Sequence, residues 1–210
     1  MKGCLPRFYP NVAAIYNPPM PTRVATHLIM GCTGAGKTTL IRGLLAQRPA
    51  EERWAVLVND FGAARVDTHG GVTVREVGGC MCCTGRVTLR AGLVRLLRDS
   101  RPRRLLIEAS SAARPDALLA VLGEDGITSA IDLRASVCVV DPRQFTDPRV
   151  GEREDYREQI AAASSVVVNW RDAIGVEARL AVSRWIEGLA GAKSVTGTRD
   201  GSVSLALLAK

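Results

Sequence analysis

Met30-Gly31-Cys32-Thr33-Gly34-Ala35-Gly36-Lys37-Thr38-Thr39 is the stretch on which the reading of this chain turns. An apolar run, Val24–Met30, ends at it, and a helical pattern, Thr39–Gln47, begins after it. That strand–loop–helix setting separates a G-x4-G-K-[ST] phosphate cradle from a glycine-rich turn that only joins two elements. Gly31, Gly34 and Gly36 let the loop amides face inward, Lys37 supplies a cation, and Thr38 supplies a hydroxyl. The helix that follows points its positive end at the same phosphates. The predicted nucleotide-binding residues are therefore Gly31, Cys32, Thr33, Gly34, Ala35, Gly36, Lys37, Thr38 and Thr39, and the predicted ligand is a nucleoside triphosphate with Mg2+.

A chain of 210 residues that is 47% hydrophobic supports one domain with a full core. The expected organisation is an extended, proline-rich arm over 1–21, a nucleotide-binding domain over 22–196 and a short tail over 197–210. The formal charge of +7 comes from arginines scattered over helices and loops, with no Lys/Arg block and few aromatics to stack bases. Nucleic acid is therefore not an expected partner; a phosphate-binding protein that docks on acidic partners accounts for the balance. Met1–Pro21 lacks the apolar run of a signal peptide, and no later stretch approaches the roughly 20 apolar residues that span a bilayer. The expectation is a soluble, cytoplasmic protein with no membrane partner.

Continuous Val/Leu/Ile runs alternate with amphipathic segments along the rest of the chain. Strands are predicted at Val24–Met30, Trp54–Asn59, Val72–Val77, Arg104–Glu108, Ala135–Asp141 and Ser165–Asn169. Helices are predicted at Thr84–Asp99, with a stripe of Val87, Ala91, Val94 and Leu97, and near Pro115–Leu122, Glu152–Ala163 and Glu177–Leu189. Pro142–Arg153 reads as a polar, mobile loop, and Gly197–Lys210 as a tail with a hairpin and an apolar Leu205–Leu208 stretch. The fold class this implies is α/β, a three-layer sandwich of the P-loop NTPase kind around a mostly parallel central sheet. Ligands then bind beyond the C-terminal ends of the strands.

The polar residues singled out by the sequence follow those ends. Asp60, in Asn59-Asp60-Phe61-Gly62, is placed to reach Mg2+ or its waters, or else is a turn former beside Gly62. Glu108 ends an apolar strand, where an ionised acid is costly unless paired; it is a metal ligand or an orienter of the attacking water. Lys37, Glu108 and Asp60 are the candidate catalytic residues, and Thr38, Asp60 and Glu108 the candidate Mg2+ ligands. Gly78-Gly79-Cys80-Met81-Cys82-Cys83 packs three of the six cysteines into four positions. Such clustering favours a metal site or redox chemistry over a disulfide framework or inert burial. Zn2+ wants four ligands, so Cys80, Cys82 and Cys83 would need Asp60, Glu76, His69 or a partner's side chain. Cys4, Cys32 and Cys138 read as ordinary packing or exposed residues. Asn169-Trp170-Arg171-Asp172 offers an amide for N7 and a carboxylate for the N1/N2 donors of guanine, with Trp170 between them.

Taken together, these stretches resemble the CobW-like branch of the G3E P-loop GTPases, relatives of the UreG and HypB nickel chaperones. The resemblance runs from about Val24 to Val203 and also includes Glu108-Ala109-Ser110-Ser111-Ala112-Ala113-Arg114-Pro115 and Gln159-Ile160-Ala161. It implies GTP hydrolysis coupled to insertion of Zn2+, or sometimes another transition metal, into a client metalloprotein, with pairing of two copies across the nucleotide. The chain departs from the family pattern at Asp60 and Ala63 (Asn-Glu-Phe-Gly-Glu in the family), at Ser111 (usually glycine) and at Trp170 (usually Lys). The resemblance is to the GTPase domain alone, without the second domain that often carries a His-rich loop. The expected function is a slow, Mg2+-dependent GTPase that carries zinc on Cys80, Cys82 and Cys83. A nucleotide-gated module that has lost turnover and a P-loop small-molecule kinase are the rivals.

Overall fold

The computed structural model describes residues 23–59, 70–78, 85–170, 173–190 and 193–209. The chain order is β1 (Val24–Gly31), α1 (Lys37–Ala46), β2 (Trp54–Val58), β3 (Val72–Glu76), α2 (Gly85–Ser100), β4 (Arg104–Glu108), α3 (Pro115–Leu122) and β5 (Ile131–Val140). A 3-10 turn (Pro142–Thr146), α4 (Pro148–Glu152), α5 (Glu154–Ala162), β6 (Ser165–Val168), α6 (Val176–Ala190), β7 (Ser194–Gly197) and a second 3-10 turn (Leu205–Leu208) follow. The strands form one sheet in the order β3-β2-β4-β1-β5-β6-β7, and every neighbouring pair is parallel. All strand C-termini therefore lie along one edge.

Alternation along each strand divides the core in two. Leu28, Met30, Leu105, Ile107, Cys138 and Val140 face α2, α3, α5 and α6, while Ile29, Leu106, Val137 and Val139 face α1. One short helix cannot cover the second face, and the chain's last residues complete it. Residues 197–209, expected as a tail, pack Val203, Leu207 and Leu208 against Leu40, Ile41 and Leu44, and Gln47 Nε2 donates to the Val203 carbonyl at 2.7 Å. Among the described residues no helix is long and apolar enough to cross a membrane.

Two further expectations are corrected. On α2 the buried stripe is Leu89, Leu93 and Leu96, whereas Val87 is 74% and Val94 47% exposed. Both stripes have helical period, and the buried one includes Gly92, where a Cβ would lie 2.5 Å from Val77 Cγ2. A glycine that makes room for a neighbour is invisible to a count of apolar residues. Residues 142–153, expected as a mobile loop, hold two capped turns. In each Asp-Pro-Arg triplet the aspartate, Asp141 or Asp147, accepts from the backbone N–H of the arginine, Arg143 or Arg149, and is gripped by its guanidinium. Phe145 then stacks edge-on against Trp185 of α6, with centroids 4.5 Å apart.

His27 lies in the middle of β1 with no exposed surface; Nδ1 lies 3.3 Å from the Ala135 carbonyl and Nε2 2.5 Å from Arg104 Nη1. Burial, reinforced by the Arg104 charge, pushes its pKa from 6.5 down to about 4. Between those values the unfolded chain binds a proton that the folded chain does not, so stability is lost as pH falls through 6.5, and the loss levels off below about 4. Urea unfolding at pH 7 and pH 5 should give a fall in stability about 2 kcal/mol smaller in His27→Gln than in the unmodified protein.

Candidate functional site

The phosphate loop opens where β1 meets the end of the sheet. Gly31 has φ +139, and a Cβ there would sit 2.4 Å from the Val139 carbonyl oxygen of β5, so the close approach excludes any side chain. Gly36, the N-cap of α1 at φ 102, has no side chain with which to cap the first turn, so no capping side chain from that position competes with a ligand there. A Cβ at Gly36 would fall 2.3 Å from Asn169 Nδ2. Lys37 is 4% exposed, and its Nζ donates to the carbonyls of Gly31 at 3.0 Å and Cys32 at 3.2 Å. The ammonium therefore lies within the loop that it is predicted to serve.

Thr38 Oγ1 donates to Glu108 Oε1 at 2.6 Å, which joins the first turn of α1 to the tip of β4. Glu108 is 1% exposed. A hydroxyl and a carboxylate in contact at a helix N-terminus are hard oxygen donors of the kind Mg2+ takes one or two at a time, so these residues fit that ion. Asn169, fully buried, donates from Nδ2 to the Ala35 carbonyl at 3.1 Å and accepts at Oδ1 from Trp170 N–H at 2.9 Å. The amide predicted to meet a base is thus also a strut between β6 and the phosphate loop. Nδ2 keeps a second proton, the donor that an N7 acceptor requires.

Thr33 and Gly34 are exposed at the loop's crest, with Thr33 Oγ1 donating to Ser111 Oγ at 2.8 Å. Cys32 and Ala35 are buried, and Thr39 is exposed beside Gly201. Burial pushes the Cys32 thiol up to about 11 and the Cys138 thiol higher still, so both remain protonated packing residues at neutral pH. Trp170 takes φ 52, and its ring lies 4.7 Å from the guanidinium carbon of Arg143, which binds both carboxylate oxygens of Asp141. Gln144, from the same turn, donates to the Thr33 carbonyl at 2.8 Å. Asp141, Arg143 and Gln144 were not read from the sequence; the repeated Asp-Pro-Arg capping signal was the available clue.

Asp60, His69, Cys80, Cys82, Cys83 and Asp172 lie outside the described residues. Among the described residues no group of three or more His, Cys, Asp or Glu side chains could hold a metal ion. Glu76 pairs with Val58, and Val58 with Glu108, so β3 ends level with the tip of β4. Asn59 spans that gap: its N–H donates to the Glu108 carbonyl at 2.9 Å and its Nδ2 to the Val77 carbonyl at 2.8 Å.

A glycine-rich loop that carries Lys37 and Thr38 at the mouth of an all-parallel α/β sandwich defines a P-loop nucleotide-binding domain. Comparison with known proteins narrows the class. The CobW/HypB/UreG nucleotide-binding domain family matches residues 25–196, and the chain belongs to that family. It is 39% identical over 188 residues to the zinc chaperone YeiR of Escherichia coli, which covers 87% of this chain and 57% of the relative. It is 27% identical over 220 residues to the zinc chaperone CobW of a Sinorhizobium species, covering 89% of this chain and 62% of the relative. The chain therefore spans less than two thirds of either relative. The Zn(II)-bound YjiA GTPase of Escherichia coli has a similar fold, with TM-score 0.64 and 23% identity over 89% of this chain and 61% of that one.

Gly36→Ala tests the architecture of the loop. The variant combines a side chain at positive φ with a collision against Asn169, and its stability in urea should fall by about 2 kcal/mol or more.

Proposed function

We propose that this chain is the GTP-binding, GTP-hydrolysing domain of a metallochaperone that carries zinc to a client metalloprotein. The observation that carries the reading is the 2.6 Å bond between Thr38 and Glu108 beside the buried Lys37. Those groups, with the loop amides, suit a triphosphate and Mg2+, which would supply positive charge against the phosphates. Lys37 exchanges the Gly31 and Cys32 carbonyls for phosphate oxygens. Thr38 and Glu108 hold the ion, and of the two roles open to Glu108 the Thr38 contact favours this one; Asp60 is proposed as a further acidic group. Asn169 and Asp172 read guanine, with Trp170 as a stacking surface. The work is positioning and charge stabilisation, and the intrinsic turnover is slow.

Zinc is the cargo, held on Cys80, Cys82 and Cys83 with a further ligand from the chain or from the client. The names of the YeiR and CobW relatives support zinc. The described stem supports coupling between the two sites. β3 ends level with β4 with one strand between them, about 10 Å away by strand spacing, and Asn59 bonds to both tips. The proposed setting is the cytoplasm, with a client protein as partner and a homodimer across the nucleotide as the assembly.

Labelled-nucleotide binding and phosphate release test the reading. GTP should bind at least about tenfold more tightly than ATP, and Glu108→Gln should slow phosphate release about a hundredfold. Changing Cys80, Cys82 and Cys83 to Ser, or withholding Zn2+, should alter the release rate. Equal affinity for GTP and ATP would remove the base assignment. A rate indifferent to zinc and to all three serines would separate the metal from the nucleotide.

A further inference from the structure

One buried side chain joins the phosphate loop to the segment that follows Glu108. Gln159, on α5, has no exposed surface. Its Oε1 accepts from Gly31 N–H at 2.9 Å, and its Nε2 donates to the carbonyls of Ser111 at 3.1 Å and Ala113 at 2.9 Å. β1 and β4 run paired as far as Ile29 and Glu108, and Ala109 N–H still donates to the Ile29 carbonyl at 2.9 Å. In an evenly spaced parallel ladder the next N–H on β1, that of Gly31, would turn to the Ala109 carbonyl just past β4. It turns to Gln159 instead. The amide is a wedge set where the two strands part, with the phosphate loop leaving on one side and residues 110–113 on the other.

Only a side chain that accepts at one end of a planar group and donates twice at the other satisfies all three backbone groups without introducing charge. The same two segments also meet through the exposed Thr33–Ser111 hydroxyl contact. Water competes for an exposed bond of that kind, whereas the bonds to Gln159 are made in the core, where a broken partner stays unsatisfied. An anion on the loop would compete for the Thr33 hydroxyl and leave the Gln159 bonds untouched.

We propose that Gln159 is the positioning residue that couples the phosphate loop to residues 110–113. By tying the Ser111 and Ala113 peptides to Gly31, it passes a change at the loop to the segment leading into α3, which begins at Pro115. The inference rests on the reading that the loop binds GTP.

The test uses the full chain with Mg2+ and compares the unmodified protein with Gln159→Leu and Gln159→Glu. The glutamate keeps the acceptor for Gly31 and loses both donors. Ile186→Val, a core change on α6, serves as a control for stability alone. Melting temperature, affinity for labelled GDP, affinity for a non-hydrolysable GTP analogue, kcat and KM are measured. Gln159→Leu should keep GDP affinity within about threefold, while the preference for the GTP analogue over GDP, and kcat, fall about three- to thirtyfold, the range that coupling residues give; Gln159→Glu, which also sets a charge beside the loop, should show that loss together with weaker binding of both nucleotides. Ile186→Val should lower the melting temperature and change neither the preference nor kcat. Gln159 variants that behave as Ile186→Val does would overturn the proposal. Should neither variant fold, hydrogen exchange in the unmodified protein decides: Gly31 and residues 110–113 should change protection together when the GTP analogue is added, and independent responses would refute the coupling. Failure of the unmodified protein to bind GTP would remove the nucleotide reading itself, an outcome distinct from either.

Discussion

Ile29 pairs with Glu108 across β1 and β4, and that register decides on which face of the sheet the carboxylate emerges. Leu105 and Ile107 face the core shared with α2, α3, α5 and α6, whereas Leu106 faces α1. Glu108 has the parity of Leu106 and meets Thr38 in the first turn of α1. A slip of one residue would send it to the opposite face. It would then lie among Leu and Ile side chains, a burial that costs on the order of several kcal/mol for an unpaired charge. The phosphate loop, its lysine and its hydroxyl all depend on the same alignment, because Gly31 continues the strand on which Ile29 lies.

The C-terminal edge of the sheet is held together mainly by neutral amides. Asn59 joins the tips of β4 and β3, Asn169 joins β6 to the loop, and Gln159 joins β1 to residues 111–113. A buried polar group must be satisfied to be tolerated, and an amide that donates and accepts can satisfy two backbone segments at once. Charged struts would do the same mechanical work and would add their own field to a site suited to a highly charged ligand. With amides as struts, Lys37 and Glu108 contribute buried charge beside the loop, and the buried carboxylate of Asp141 is paired with Arg143.

The elements legible in the sequence were those whose signal is local. Trp54–Val58 and Arg104–Glu108 are runs of apolar residues, and Pro115–Leu122 opens on a proline at the first helical position; each appears within a residue of where the pattern puts it. The α2 face was misread because the pattern carries two stripes, and a glycine fitting against Val77 chose between them. Residues 197–209 looked like a tail because the need for them is tertiary: the apolar Leu205–Leu208 stretch is visible in the sequence, but its partners on α1 lie far away along the chain and no local pattern names them. The first half of β5 escaped notice because Asp132 and Arg134 pair with each other at its surface, at 2.7 Å, and make a strand look like a loop. At the candidate site, motif and strand end pointed to Lys37, Thr38 and Glu108, and the structure buries Lys37 and sets Thr38 against Glu108. The bonds of Gln144 and Gln159 were not legible, because a glutamine on a helix has no pattern that names its distant partners.

Trp170 and the ordered residues 142–153 are held by one set of contacts. A bulky residue at φ 52 persists only where its surroundings hold it. Its N–H is bound by Asn169 Oδ1, and its ring carries the Arg143 guanidinium in a cation–π contact worth roughly 0.5–2 kcal/mol. Arg143 is fixed in turn by the buried carboxylate of Asp141, in a turn that reaches the loop through Gln144 and Thr33. The cation beside Trp170 therefore comes from a different element and is held by two hydrogen-bonded oxygens and an aromatic face. Indole, guanidinium and carboxylate thus fix one another, so this edge of the sheet is ordered by its own contacts rather than by a flexible stem that would have to be immobilised.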